Sequence, residues 1–326
     1  MENLLIPTKS KLVSAVIPTF NSEIDIDRLL ESFESLDWPK EYLEIIVVDN
    51  NSNDKTVQII EKYFRSWNGK FHSTKLIKNT ANVGAASAYN IGIKNSSSDS
   101  VYIWKLDSDV ALTAQCLPAL VNVIMNNEQI GAVASNYILS NGNYDNVVSI
   151  LYSLPRRWLH PIHSYPIAQY SNKNQNNIIG LNGASILFRI DAIKSINYFD
   201  SRYFLFFDDT DITYQLKKMK YRLCYAEESK VFHFAKIKEG KNAERTIYYS
   251  FRSQHLFCKK HFTTIEYSIY IIMQTILSPW ILARVCNTYK MSSYQNYKKA
   301  FNSWIAAWKD YSSNYYGIYR NQCCPR

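Results

Sequence analysis

The sequence predicts an α/β protein built on a mostly parallel, Rossmann-like sheet flanked by helices, with a helical extension at its C-terminus. Three observations predict it. Short apolar, β-branched runs alternate with amphipathic stretches through the first 137 residues, the pattern of strands buried on both faces by crossover helices. Several of those runs stop abruptly at a Pro or an Asp, as strands do where they open onto a loop. Hydrophobic residues make up 47% of the 326 and charged residues 20%, a balance that supports a substantial core and argues against disorder over most of the length.

The elements follow in order. Residues 12–17 (LVSAVI) read as a buried strand stopped by Pro18. Residues 25–36 place Ile26, Leu29, Leu30 and Phe33 on one helical face. Residues 43–48 (LEIIVV) form a second strand ending at Asp49; a polar turn over Asn50 to Asp54 leads to a helix over 55–67. A third strand covers 74–78, and 82–94 is a loop followed by a helix of small residues. A fourth strand, 101–106 (VYIWKL), ends at Asp107; a helix near 115–127 and a strand near 130–137 come next. Residues 138–178, rich in Asn, Ser, Tyr and Pro, predict an irregular insertion, and 180–189 a return to strand. The helix over 208–220 opens with acids, which suits the positive end of its dipole. Further helices cover 243–262 and 264–286. The second holds the longest apolar stretch, interrupted by Glu266, Ser268, Gln274, Ser278 and Pro279. It predicts a buried or amphipathic helix ahead of an interfacial one, for which Trp280, Lys259, Lys260 and Arg284 would suit a headgroup boundary.

The net charge is +9. A basic balance points to nucleic acid, an anionic membrane surface or a phosphorylated substrate. The late crowding of Lys217, Lys218, Lys220 and Arg222, then Lys236, Lys238 and Lys241, then Lys259 and Lys260 favours the last two, and no nucleic-acid reader motif is present. The six cysteines form no CxxC pair and no zinc spacing, so they read as reduced thiols. The N-terminus, MENLLIPTKSKL, lacks the apolar core of a signal peptide. A cytoplasmic location is expected.

Chemistry concentrates at the strand ends. Asp107, Ser108 and Asp109 follow a buried strand directly; hard divalent cations take oxygen ligands, and Mg²⁺ is commonly held by one or two carboxylates plus substrate phosphates. The plain alternative is a solvated turn. Asp49, at another strand end, can accept a hydrogen bond from a base imide or a ribose hydroxyl. Pro18, Thr19, Phe20 and Asn21 can offer a backbone and aromatic wall. Asn82 and Gly84 precede a run of small residues, where Gly84 permits close backbone approach to a ligand; a turn or tightly packed helix is the alternative. Asp208, Asp209 and Asp211 open a helix, and an acidic helix start is a frequent capping device.

Taken together, the segments VSAVIPTFN, EIIVVDNNSNDKT, NTANVGAASAYNIGI and VYIWKLDSDV resemble the ordered signature of family 2 glycosyltransferases with a GT-A fold. The match covers roughly the first 130 residues well and continues in pieces to about residue 310. The resemblance implies a catalytic domain over 1–240, with a nucleotide-sugar half (1–130) and an acceptor-binding and catalytic half (131–240), followed by a helical region over 241–326. It implies that Asp49 contacts the donor base and that Pro18, Thr19 and Phe20, with Asn21, Asn82, Gly84 and Ser108, line the donor pocket. Asp107 would approach the ribose or the metal, Asp109 would ligate Mn²⁺ or Mg²⁺ against the diphosphate, and His233 would complete the metal shell. Phe207-Asp208-Asp209-Thr210-Asp211 resembles the family's Glu-Asp-x-Asp element, with Asp at 208 in place of Glu. Asp209 would then be the general base of a single, inverting displacement. Asn182, Gly183, Ala184 and Arg252 would face the acceptor. The Tyr-rich helix carrying Tyr248, Tyr249 and Arg252, and the later AFNSWIAAWKDYSSNYYG, are similar to rhamnosyltransferase-like members of surface-polysaccharide and O-antigen synthesis. The implied donor is a UDP-, dTDP- or GDP-linked sugar. The implied acceptor is a hydroxyl of a saccharide or of a lipid-linked sugar, met by peripheral contact at the inner face of the cell membrane.

Two other classes compete. A nucleotidylyltransferase-like enzyme would carry an early Gly-rich, basic phosphate loop, and PTFNSEID has neither Gly nor Lys. A non-catalytic sugar-nucleotide-binding partner of a polysaccharide synthase would keep the fold without its acids, and every acid is kept here.

Overall fold

A computed structural model of the chain describes residues 11–139, 147–151, 162–166, 178–181, 183–234, 241–288 and 294–319. Strands β1 (Val13–Thr19), β2 (Leu43–Asp49), β3 (Ser73–Lys78) and β4 (Tyr102–Leu106) run parallel. Their side chains are divided between the two faces of the sheet. Val13, Ala15 and Ile17 enter one core with Leu43, Ile45, Val47, Tyr102, Trp104 and Leu106. Val16, Ile46, Val48 and Ile103 enter the other. This two-sided burial is why the strands read as unbroken apolar runs. Helices α1 (Glu23–Phe33), α2 (Thr56–Ser66) and α4 (Cys116–Met125) supply the first core; α3 (Ala85–Lys94) supplies the second.

The sheet has eight strands in the order β3-β2-β1-β4-β10-β6-β11-β5. They include β5 (Val110–Leu112), β6 (Ile130–Leu139), β10 (Ser185–Arg189) and β11 (Arg222–His233). Strand β10 pairs antiparallel with both β4 and β6, and β11 pairs parallel with β6 but antiparallel with β5. The sheet is therefore mixed: parallel through its first half, with both parallel and antiparallel pairs in its second. A small second sheet, β8-β7-β9, joins β7 (Val147–Leu151), β8 (Ile162–Pro166) and β9 (Ile178–Leu181).

Three expectations are corrected. Residues 138–178 contain strands β7 and β8 where an irregular insertion was expected; each is only five residues long and lies among the Asn, Ser, Tyr and Pro that prompted the expectation. Residues 180–189 belong to two strands in two sheets, with a bend at Ala184 before the second. The apolar stretch over 264–286 is two helices, α8 (Thr264–Ile276) and α9 (Ser278–Thr288), since Pro279 cannot continue the first. Between the sheet and these helices come α5 (Ile190–Ser195), α6 (Asp208–Lys218) and α7 (Lys241–His261); α10 (Tyr294–Ser312) follows. Helix α7 lends Leu256 and Phe257, and α10 lends Tyr311, to the second sheet-face core, so the helical region packs on the sheet through both helices.

Candidate active site

The parallel strands deliver their carboxyl ends to one edge, the edge at which open α/β sheets bind ligands. There the loops are tied into one chain of hydrogen bonds. Asp49 accepts from the hydroxyl and the backbone N–H of Ser52 at 2.6 and 3.0 Å. Ser52 Oγ in turn accepts from the N–H of Asn21 at 2.8 Å, and Asn21 Oδ1 accepts from the N–H of Asn53 at 2.8 Å. Ser22 joins this loop to Ser108 through their hydroxyls, 3.2 Å apart. Pro18 and Phe20 are half-buried beside Thr19, whose hydroxyl is buried without a partner. A buried hydroxyl left unpaired carries a desolvation cost.

The acids converge next to this rim around a buried ammonium. Lys105 lies in β4 on the same sheet face as Ile103, and its Nζ donates to Asp107 Oδ1 and to the Gly183 carbonyl, both at 2.9 Å. The N–H of Gly183 donates to Asp209 Oδ2 at 2.8 Å, and the N–H of Thr210 donates to Asp209 Oδ1 at 2.7 Å. The hydroxyl of Tyr89 donates to Asp107 at 2.6 Å, and the Asp107 N–H to the Ala184 carbonyl at 2.9 Å. Asp107 and Asp209 are thus joined through one lysine and the backbone of one residue, Gly183. A Cβ at Gly183 would run into the Tyr137 hydroxyl, so any side chain there would have to displace the end of that buried tyrosine.

The electrostatics follow from that geometry. Burial pushes the Asp208 carboxyl up to about 7, with Lys105 pulling it down and Asp209 and Asp107 adding repulsion. Burial raises Asp209 as well, against Lys105 and the Gly183 N–H. Burial also disfavours ionisation of Asp107, but Lys105 and the Tyr89 hydroxyl outweigh it and hold this carboxyl below its usual range. Burial opposes the charge on Lys105, and the three surrounding acids more than restore it. Environments that push neighbouring carboxyls apart are characteristic of acid–base sites.

Asp109 leaves this cluster and faces His233, with Oδ1 and Nε2 3.6 Å apart. His233 is the last residue of β11, and the following residue, Phe234, donates its N–H to the Asp109 carbonyl at 2.9 Å. Among the described residues no three His, Cys, Asp or Glu are arranged to hold a metal ion. One carboxylate and one imidazole, both partly exposed, nevertheless fit a divalent cation whose remaining ligands come from a bound diphosphate and water, the habit of Mg²⁺ sites.

Four predicted residues stand elsewhere. Asp211 points away from Asp209 into a fully buried network, accepting from Lys260 Nζ at 2.7 Å, Gln215 Nε2 at 2.8 Å and Tyr203 Oη at 3.1 Å, and facing His261 Nε2 at 2.6 Å. Two residues of helix rotate a side chain by about 200°, so the two acids serve opposite faces. Gly84 makes its close approach to the backbone of Phe204 and not to an open cleft: its φ is +84°, a Cβ there would lie 2.7 Å from the Phe204 carbonyl oxygen, and that oxygen accepts from the Ala85 N–H. Asn82 stabilises the turn through its Oδ1, which accepts from the Gly84 N–H at 3.0 Å. Arg252 is buried in the helical region and donates to Tyr248 Oη and to the carbonyls of Gly317 and Tyr316 at 2.8–3.0 Å; it braces helices there. Asn182 lies outside the described residues, while Gly183 and Ala184 border the acid cluster as described.

Lys105, Tyr89 and Tyr137 were not among the predicted site residues. Lys105 had a visible signal: a lone lysine inside an apolar strand, two residues before Asp107. The two tyrosines had none, since a buried ring with a polar tip reads as ordinary core.

The layout of the sheet, with strand-end loops beside an acid cluster, is that of the GT-A class. The chain covers 95% of its own length and 84% of a solved structure of the mannosyltransferase PcManGT from Pyrobaculum calidifontis in complex with GDP-Man and Mn²⁺, with a TM-score of 0.60 and 16% identity. At that identity the likeness speaks for the fold. The chain belongs to glycosyl transferase family 2, whose model matches residues 14–197. Among curated relatives it is 26% identical over 220 residues to the probable glycosyltransferase YdaM of Bacillus subtilis, covering 65% of this chain and 48% of that protein. It is 22% identical over 279 residues to the poly-beta-1,6-N-acetyl-D-glucosamine synthase of Staphylococcus epidermidis, covering 84% of this chain and 63% of that protein. The chain thus spans about half to two thirds of the length of these relatives.

Proposed function

We propose that this protein is an inverting, divalent-cation-dependent glycosyltransferase. It moves a sugar from a nucleotide-diphosphate donor to a hydroxyl of a saccharide or lipid-linked acceptor in surface-polysaccharide synthesis. The observation that carries the reading is the convergence of Asp107 and Asp209 on Lys105 and Gly183, at the sheet edge where the donor-side loops meet. Family membership and the synthase relative support it.

In this reading the loop of Pro18 to Asn21 and Asp49 hold the nucleotide. Asp109 and His233 would hold the cation, which supplies neutralisation of the diphosphate as it leaves. Asp209 accepts the proton of the attacking hydroxyl; its raised proton affinity suits a base near neutral pH better than an unperturbed carboxylate does. Two backbone N–H groups fix its orientation. Asp208, crowded towards neutrality, limits the negative charge beside the incoming nucleophile. Displacement in one step from the face opposite the diphosphate inverts the anomeric centre.

The test is a donor-hydrolysis and transfer screen over UDP-, dTDP- and GDP-sugars with Mn²⁺ or Mg²⁺, alongside thermal stabilisation by the nucleotides with and without chelator. A cation-dependent rise in Tm with one nucleotide class is expected. The Asp109→Ala protein should lose that rise, and Asp209→Ala should keep it while losing transfer. Wild-type turnover in either variant would overturn the reading.

A further inference from the structure

The positive charge of this chain has an address. Residues 1–240 hold 25 Lys and Arg against 25 Asp and Glu, whereas residues 241–326 hold 12 against 3. The whole net charge of +9 therefore belongs to the C-terminal helical region. The same region carries an apolar surface on the wrong side of a helix. In α8, Ile265, Ile272 and Ile276 are 74%, 56% and 66% exposed, while Gln274, on the opposite side, is 1% exposed and Tyr270 is fully buried. At 3.6 residues per turn the three isoleucines stack along one line. Glu266, which closes the capping box with Thr263, is the one charged residue of this helix. Trp280, at the start of α9, is 52% exposed.

Helix α10, joined to α8 by a 2.8 Å contact between the Tyr267 and Tyr311 hydroxyls, presents a second outward line. Lys298, Phe301, Ile305 and Lys309 are all exposed at helical spacing, with two apolar residues between two cations and no acid among them. Exposed apolar lines of this kind mark a surface that something else covers. The charge selects what covers it. A second copy would bring the same positive region against itself, which repulsion disfavours. An anionic lipid surface meets both features, because apolar side chains enter the headgroup boundary while lysines meet the headgroups. Among the described residues no helix is long and apolar enough to cross a membrane, so the contact is one of surface docking.

We propose that the outer faces of α8 and α10, with Trp280, dock this protein on an anionic lipid bilayer. The docking rests on the helices; its use, bringing the acid cluster to a lipid-linked hydroxyl, rests on the transferase reading.

The test is flotation of the full chain with vesicles of phosphatidylcholine and phosphatidylglycerol, and of phosphatidylcholine alone, paired with light scattering for oligomeric state. Tighter binding to the anionic vesicles by about tenfold or more is expected, falling with salt. The triple variant Ile265→Ser, Ile272→Ser, Ile276→Ser should lose about tenfold or more in binding. The pair Lys298→Glu, Lys309→Glu should bind anionic vesicles no better than neutral ones. These residues are exposed, so both variants should keep the wild-type Tm and the wild-type rate of donor hydrolysis in solution. The proposal falls if the wild type ignores anionic vesicles, or if the triple variant binds like the wild type. It also falls if the isoleucines prove to hold a dimer that does not bind vesicles. Vesicle binding without donor hydrolysis in the wild type would instead sink the transferase reading and leave the docking surface standing.

Discussion

Glu44, at the N-terminal edge of the sheet, and Asp208, beyond its C-terminal edge, are both buried carboxyls. Glu44 accepts from the hydroxyls of Ser14, Ser73 and Ser97, from the Ser97 N–H and from Lys75 Nζ, at 2.5–3.0 Å. Burial works against its ionisation, but these donors outweigh it and draw its pKa down to about 2. Among the described residues Asp208 has no such set. It shares one buried ammonium with Asp107 and Asp209, and its pKa rises to about 7. The difference teaches where this chain spends stability and where it stores reactivity: one end closes a sheet, the other keeps proton-accepting capacity next to an open rim.

The largest test of that contrast is chemical. Asp209→Asn should lower kcat by about 10³-fold, within the range for loss of a general base, while calorimetry still detects nucleotide binding. Retained turnover would reduce the upper cluster to a structural one. Next is Lys105→Met, which strands three acids around an apolar side chain. It should cost about 3 kcal/mol in denaturant unfolding and lower kcat in the fraction that remains folded. Third, Glu44→Gln should lose on the order of 2 kcal/mol with kcat per folded molecule unchanged; a fall in kcat would mean that the two ends are coupled. The smallest and opposite effect is expected from Asp208→Asn, which should stabilise the protein by about 1 kcal/mol at neutral pH as activity declines.

The two ends should also tilt stability with pH in opposite senses. Glu44 has a folded pKa below its unfolded value of 4.5. Its contribution is complete above that value and is lost as the pH falls from there towards about 2. Asp208 has a folded pKa above its unfolded value of 3.8. Its contribution is present when it is protonated and fades as the pH rises from about 4 to about 7. Unfolding measured across that upper window should slope downward in the wild type and flatten in Asp208→Asn.

Much of the site was legible. Asp49 and Asp107 announce themselves because each stands at the end of an apolar strand, with Asp109 two residues further on, and strand ends in open α/β sheets share one edge. Asp208 and Asp209 announce a helix start. Asp211 sits in the same acidic run, and only the turn of the helix shows that it meets Lys260 and His261. The tight neighbour of Gly84, Phe204, is likewise far away in sequence. The strands hidden in 138–178 lack the apolar alternation that burial on one face imposes.

The sequence by itself determined the parallel half of the sheet and the set of acids at its edge, because local periodicity and abrupt polar stops encode strands and their ends. It also contained the charge division between the first 240 residues and the rest. Tertiary structure alone decided which acids meet. Lys105 reaches both Asp107 and the Gly183 carbonyl only when β10 lies antiparallel beside β4. The proton affinity of each carboxyl then follows from burial and from neighbours brought in from distant segments, and those have no signature in a local stretch of chain.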